Sequence, residues 1–407
     1  MGDETIIANF KSLVAQMLKE KNIENYNIDI KGNSGIGDGY MGDIIFFKVT
    51  MEKDSSVLSL VMKLAKNNKA LRDNSNLEEN FRREIFMYET VFRSIESYFA
   101  KLKPNVKVLD YIPKLFWSNP EQGKEALVLE NLKADGFTSW EKFKPLDFEH
   151  TKQVCRNLAK WHGEVMAFRD QNPDQFESWI PKLENIRYEL LVQIGLIKHA
   201  YKNYRKVVEM FEERGQHELA VKFKAQEKNL EDFCKIAEKE SDRLVITHAD
   251  LWINNVLFKF PTNGNIASEN KYFDFQVSNV NTPVEDLSFF IYGHCDKDVL
   301  DKLDLVLQDY YATLSETVKK LGSDPEKIFS YEDLEEHWRK YGMSGVISAL
   351  EIIKLQLIHE DEIETASEIT EGGEVKLVEP YNFVIRNEDL YFERLISLFT
   401  HFGNKYF

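Results

Sequence analysis

Strand-like and helix-like spacings of apolar residues follow one another along this chain in a readable order. Ile6, Phe10, Leu13, Val14 and Met17 recur at helical spacing, which predicts one short amphipathic helix over Ile6 to Leu18. Asn27 to Lys31 and Ile44 to Val49 then predict two strands joined by the glycine-rich segment GNSGIGDGYMGD. Ser59 to Ala65 predicts a third strand, with Leu60, Met62 and Leu64 on one face and Val61, Lys63 and Ala65 on the other. Phe81, Ile85, Tyr88, Phe92 and Ile95 return to helical spacing and predict a helix over Asn80 to Ile95, with Glu84 bordering its apolar stripe. Tyr111 to Trp117 and Glu125 to Leu129 predict two more strands, after which the composition changes abruptly at Lys133-Ala134-Asp135-Gly136. From Phe148 onward the pattern is helical. Val154, Leu158, Trp161, Val165 and Phe168 mark a core helix over Thr151 to Phe168, on which Cys155 and His162 read as structural. Phe176 to Glu240, Val299 to Leu321, Tyr331 to His359 and Tyr391 to Phe402 predict further amphipathic helices.

One stretch interrupts the helical pattern. Leu244 to Ile246 and Val256 to Phe258 flank His248-Ala249-Asp250 and Asn255, which predicts strand, loop, strand. Pro261 to Asn270 predicts a hairpin turn, and Lys271 to Phe275 a returning strand with Asp274 near its end. Asn255, Asp274 and the phosphates of a substrate would supply oxygen ligands that suit Mg²⁺, a cation that takes one or two protein carboxylates when phosphates complete its shell. Asp250 remains to accept or orient a hydroxyl proton. Beyond it, Thr282-Pro283-Val284-Glu285 reads as a capping box with proline at the first helical position, and Asp286 falls in the first turn.

Candidate phosphate chemistry lies earlier in the chain. Gly37-Asp38-Gly39-Tyr40-Met41-Gly42 fits G-x-G-x-x-G. It is followed by Ile44-Ile45-Phe46-Phe47 and not by a helix, so it reads as a flap between strands whose backbone N–H groups approach an anion; the alternative is a plain flexible hairpin. Lys63, on an inner face beside small apolar neighbours, needs a partner for its ammonium, and Glu84 supplies one. Paired in this way Lys63 would point at the α- and β-phosphates; otherwise it snorkels to water and Glu84 balances Arg82 and Arg83. At the crossing after the fifth strand, Glu130 C=O and Leu132 N–H would face adenine.

Length and charge narrow the reading. The 407 residues suffice for two or more domains, and 43% apolar residues support packed cores. A net charge of −16 argues against nucleic acid or an anionic membrane as a partner, so a nucleotide must be held by a local cluster. Three scattered cysteines make neither a disulfide framework nor a metal motif. The first residues lack the pattern of a signal peptide and no apolar run reaches membrane-spanning length, so a cytosolic protein is expected. Glu360 to Gly373 is an acidic run expected to form a surface loop.

H-x-D-L-x-x-x-N at His248 to Asn255, Asp274, Lys63, Glu84 and the glycine flap occur in the order of the protein-kinase-like fold. LVLENL, THADLWINNVLF, YFDFQVSN and NTPVEDLSFF resemble more narrowly the ecdysteroid kinase-like family, related to choline kinases and aminoglycoside phosphotransferases. The resemblance implies an α+β bilobal fold, with a β-rich N-lobe over residues 1–131 carrying one main helix and a larger helical C-lobe over 132–407. It implies that Asp250 is the catalytic base, that Asn255 and Asp274 hold Mg²⁺, and that Lys63, oriented by Glu84, binds the phosphates of ATP. His248 would support the loop and Asp286 tether its backbone. The acceptor would be a hydroxyl of a small, hydrophobic molecule such as an ecdysteroid; the alternatives are a choline- or aminoglycoside-type acceptor, or a nucleotide-binding regulator without turnover. Ala249 and Gln276 stand where protein kinases carry arginine and the glycine of D-F-G, and no A-P-E follows before Asp286, so no protein substrate is expected.

Overall fold

The computed structural model describes residues 2–33, 42–67, 72, 76–185, 196–234, 243–359, 361–362 and 385–407. Gly37 and Gly39 of the glycine segment, and most of the acidic run after Glu360, lie outside the described residues.

Five antiparallel strands open the fold: β1 (Tyr26–Asn33), β2 (Gly42–Met51), β3 (Val57–Ala65), β4 (Leu115–Asn119) and β5 (Ala126–Glu130), in spatial order β1-β2-β3-β5-β4. Strand alternation gives this sheet two different faces. Ile45, Phe47, Leu60, Met62, Leu64 and Val128 pack against Phe10, Leu13, Val14 and Met17 of helix α1 (Gly2–Glu20), with the Phe10 and Phe47 rings edge to face at 5.1 Å. Lys63 therefore projects from the opposite face, and the register sets it beside Ile44 on β2 and Leu127 on β5. A helix covers that second face in three pieces: α2 (Leu77–Phe86), a π-helical turn Met87–Phe92, and α3 (Arg93–Leu102). The sequence predicts one regular helix here. The wider turn keeps Tyr88 and Phe92 on the apolar stripe, so periodicity alone does not reveal it. Tyr111 also departs from expectation: it lies in a turn before β4, where its C=O accepts from Tyr272 N–H at 2.9 Å.

The remainder is mainly helical, with β6 (Phe137–Ser139), β8 (Val256–Lys259) and β9 (Glu269–Tyr272) forming one small sheet, and β7 (Val245–Thr247) pairing with β10 (Asn279–Asn281) in another. The core helix α4 (Phe148–Gln171) packs against the helix Leu303–Leu321 and carries the expected buried stripe. Beyond it lie α5 (Leu196–Glu213), α6 (His217–Gln226), α7 (Pro283–His294), α8 (Leu303–Leu321), α9 (Tyr331–Tyr341), α10 (Met343–Leu357) and α11 (Glu388–Tyr406). The segments expected to be helical over 299–321 and 331–359 each hold two helices, the second pair meeting at Gly342. Every residue of α7 is buried, the polar Glu285, Asp286, Ser288 and His294 among them. It is pressed against α10 so closely that a Cβ on Gly345 would fall 2.4 Å from the Ser288 carbonyl. Among the described residues no helix is long and apolar enough to cross a membrane.

Candidate functional site

Lys63 lies at the centre of the site. Its Nζ donates to Glu84 Oε2 at 2.7 Å, to Asp274 Oδ1 in a short ion pair, and to Gln276 Oε1 at 3.2 Å. Burial opposes the ammonium charge, but Asp274 and Glu84 outweigh it and hold the Lys63 pKa above the ordinary lysine value. Burial pushes the Glu84 carboxyl upward, against the pull of Lys63. The helix bearing Glu84 is fastened by the neighbouring Arg83, whose Nη1 donates to Ser278 O at 3.1 Å and Glu184 O at 2.8 Å. Gly42 belongs to this cluster through its lack of a side chain: a Cβ there would meet Leu64 O at 3.0 Å and Lys63 Cγ at 3.3 Å.

Asp274 reaches Lys63 by leaving the strand. β9 ends at Tyr272, three residues short of the predicted end at Phe275, and Asp274 adopts φ +70°, a left-handed conformation that Asp tolerates better than most residues. Phe275 then turns inward, its ring 4.9 Å from Phe92, 6.2 Å from Tyr88 and 4.4 Å from His248. The π turn thus packs directly on the segment that presents Asp274.

The loop bearing Asp250 is held from behind by α7. Buried Asp286 accepts from His248 N–H at 2.7 Å and Ala249 N–H at 2.8 Å, with His162 Nε2 at 3.1 Å from the same carboxylate. Burial alone would raise the Asp286 pKa; His162 and the His248 amide bring it below the ordinary value. These two amides are drawn together because Ala249 stands at φ +64°. His248 Nδ1 accepts from Asp250 N–H at 3.3 Å, which leaves the proton on Nε2 to donate to Phe273 O at 3.0 Å. At the far end of α7, His294 Nε2 accepts from Ile253 N–H at 3.1 Å, and its Nδ1 donates to Phe290 O at 2.9 Å. Burial pushes the His294 pKa down to about 3, so the ring stays neutral and able to accept. Thr282 caps this helix by accepting from Val284 N–H.

Asn255 closes the site. Its Nδ2 donates to Asp250 O at 2.9 Å and Asp250 Oδ2 at 3.4 Å, while its Oδ1 accepts from no described residue. Lys63, Glu84, Glu130, Leu132, Asp250, Asn255 and Asp274, with Gly42, all line one cavity of about 220 Å³. His248 lies behind its wall, fully buried. Its lining combines Lys63 and the acids Glu84, Asp250 and Asp274 with the apolar side chains of Ile44, Val61, Leu129, Leu132 and Leu257. Leu132 opens a single 3₁₀ turn, where the first N–H has no intrahelical partner, and this N–H bonds to no described residue. The Glu130 carboxylate is taken by Lys271 at 2.8 Å, so its side chain is committed to the wall.

These groups fit a nucleotide and a divalent cation. The apolar lining with the unused Leu132 N–H suits a purine, Lys63 suits phosphate, and the Asn255 carboxamide oxygen and the Asp274 carboxylate, both of residues lining the cavity, offer hard oxygen donors. Among the described residues no three His, Cys, Asp or Glu side chains gather as a metal-holding group. Two contributors escape a reading of the sequence. His294 is separated from the loop it holds by a strand pair and a helix, and Gln276 registers in sequence only as the residue replacing a glycine.

The model of the ecdysteroid kinase-like family matches residues 36–323. No curated protein matches the chain. Among solved structures, the GDP complex of wild-type aminoglycoside 2'-phosphotransferase-IIIa is similar over 85% of this chain and 98% of that one, at 14% identity and a TM-score of 0.36, a likeness too slight to carry an inference.

Proposed function

The chain belongs to the ecdysteroid kinase-like family, and from that premise we propose that it transfers the γ-phosphoryl group of ATP to a hydroxyl of a small hydrophobic acceptor such as a steroid alcohol. The observation that carries this reading is the convergence of Lys63, Asp250, Asn255 and Asp274 on one cavity that apolar side chains and Leu132 also line. The acceptor oxygen bonds to the γ-phosphorus as the bond to the β,γ-bridging oxygen breaks; ADP leaves, and the hydroxyl proton passes to Asp250. Asn255 Nδ2 and the backbone bonds from Asp286 and His294 fix where that carboxylate stands. Lys63 pairs with phosphate oxygens, and Glu84 keeps it aimed. Asp274 and Asn255 Oδ1 would hold Mg²⁺, which when bound supplies neutralising charge for the phosphates.

Asp250→Asn keeps size and hydrogen bonding but cannot take a proton. Phosphotransfer should fall by about 10²- to 10⁴-fold with nucleotide affinity nearly unchanged. Full activity in this variant would remove the assignment. Incubation with Mg·ATP and a metabolite extract, followed by mass spectrometry, identifies the acceptor class: a phosphorylated steroid supports the reading, and a phosphorylated amine or sugar replaces it.

A further inference from the structure

The carboxamide of Gln276 touches both charged groups at the centre of the site. Its Oε1 accepts from Lys63 Nζ at 3.2 Å, and its Nε2 donates to Asp274 Oδ2 at 3.3 Å. The orientation of the amide is fixed by chemistry, because an ammonium can only donate and a carboxylate can only accept. Asp274 therefore has each oxygen in the hands of a different neighbour, Oδ1 on Lys63 and Oδ2 on Gln276. These holds differ in kind. Phosphate oxygens compete for an ammonium, so a nucleotide would loosen the grip on Oδ1. They do not compete for an amide N–H already aimed at Oδ2.

We propose that Gln276 is a positioning residue that restricts Asp274 to coordination through one oxygen, and so selects Mg²⁺ over Ca²⁺. The proposal rests on Asp274 holding the metal, as in the reading above. Mg²⁺ requires near-octahedral geometry at short distance and takes carboxylates through one oxygen when phosphates and water fill the shell, whereas Ca²⁺ accepts six to eight oxygens and commonly takes both oxygens of a carboxylate. Bidentate coordination would turn Oδ2 away from Gln276 and break its hydrogen bond. A glycine at this position leaves Oδ2 undirected, and a carboxylate would repel it. Residues that orient a metal ligand typically change metal affinity by about 10- to 100-fold when removed, which is the scale on which such selection operates.

The test is calorimetric binding of a non-hydrolysable ATP analogue to the whole chain, with Mg²⁺ or Ca²⁺ as the only divalent cation. It compares wild type with Gln276→Met, which keeps the length and loses both hydrogen bonds, and with Gln276→Gly. Wild type should bind the Mg²⁺ complex more tightly, and both variants should lose about tenfold of that preference. A preference that persists in both variants overturns the proposal. So does a loss of affinity for both complexes in the same proportion, the signature of a merely structural role. A variant that melts well below wild type is replaced by the other, since the two make opposite demands on space. Wild type that binds the analogue equally well without any divalent cation overturns the metal reading itself, a different result from an unchanged Mg²⁺-to-Ca²⁺ ratio.

Discussion

Lys63 is pinned between two carboxylates, and Glu84, only 1% exposed, depends on it for its countercharge. Removing one member of a buried pair leaves the other unpaired, at a cost of roughly 3–5 kcal/mol. Lys63→Met should accordingly lower thermal stability as well as phosphotransfer, and adding Glu84→Leu should recover much of the stability and none of the activity. If the double variant melts no higher than the single one, Glu84 is not paying that penalty. A second buried acid governs the response to pH. Glu164 accepts from Tyr111 O–H at 2.6 Å and Leu109 N–H at 3.2 Å, and burial pushes its pKa from 4.5 up to about 8 despite those bonds. Its folded-state value lies above the unfolded one, so the stabilisation is fully present below about pH 4.5 and is lost as pH rises to about 8. Glu164→Gln has no charge to bury and should remove roughly 3–5 kcal/mol of that slope. Denaturant titrations at pH 5 and pH 8 measure it; an unaltered difference in the variant would locate the pH dependence elsewhere.

Helix α7 works as one part because it holds the Asp250 loop at two places, Asp286 at residues 248–249 and His294 at residue 253. His294→Leu would leave the Ile253 N–H buried without an acceptor, at about 1–3 kcal/mol. The expected result is faster hydrogen exchange at Ile253 and lower kcat, with KM for ATP little changed. Unchanged exchange at that amide would show that His294 is not holding the loop. Elements of this kind were legible to very different degrees. The amphipathic helix at Phe10, the alternating strand around Lys63 and the stripe from Phe81 to Ile95 were plain, because each buries one face and so writes its period into the sequence. β10 was not, since Asn279 and Asn281 are polar yet buried, their place set by pairing with β7. Asp274 was expected near a strand end because Lys271 to Phe275 reads as the strand returning from a polar turn, whereas its position depends on a left-handed φ that no period encodes. Lys63, Glu84, Asp250, Asn255 and Asp274 could be named from the sequence because the proposed chemistry dictates the residue type, and the structure brings them to one cavity. His294 and Gln276 act through hydrogen bonds that many residue types could make, and only the folded geometry singles them out.

For the whole molecule, a net charge of −16 surrounds a site that in the proposed reaction receives an anion. Lys63 offers little long-range attraction, because Glu84 and Asp274 already offset its charge. The field of the chain should therefore slow the approach of Mg·ATP, and screening should relieve it as the Debye length falls from about 30 Å at 0.01 M salt to about 10 Å at 0.1 M. The association rate of a fluorescent ATP analogue, followed by stopped flow at fixed Mg²⁺, should rise by about two- to tenfold over that range. A fall would mean that local cations dominate the approach. The same field separates the acceptor classes. It acts on a cationic amine in the opposite sense, so kcat/KM for such an acceptor should fall with added salt. A neutral steroid alcohol carries no charge for the field to grip, and its kcat/KM, measured at saturating Mg·ATP, should stay constant. The salt dependence of acceptor turnover thus reports the charge of the molecule the site admits.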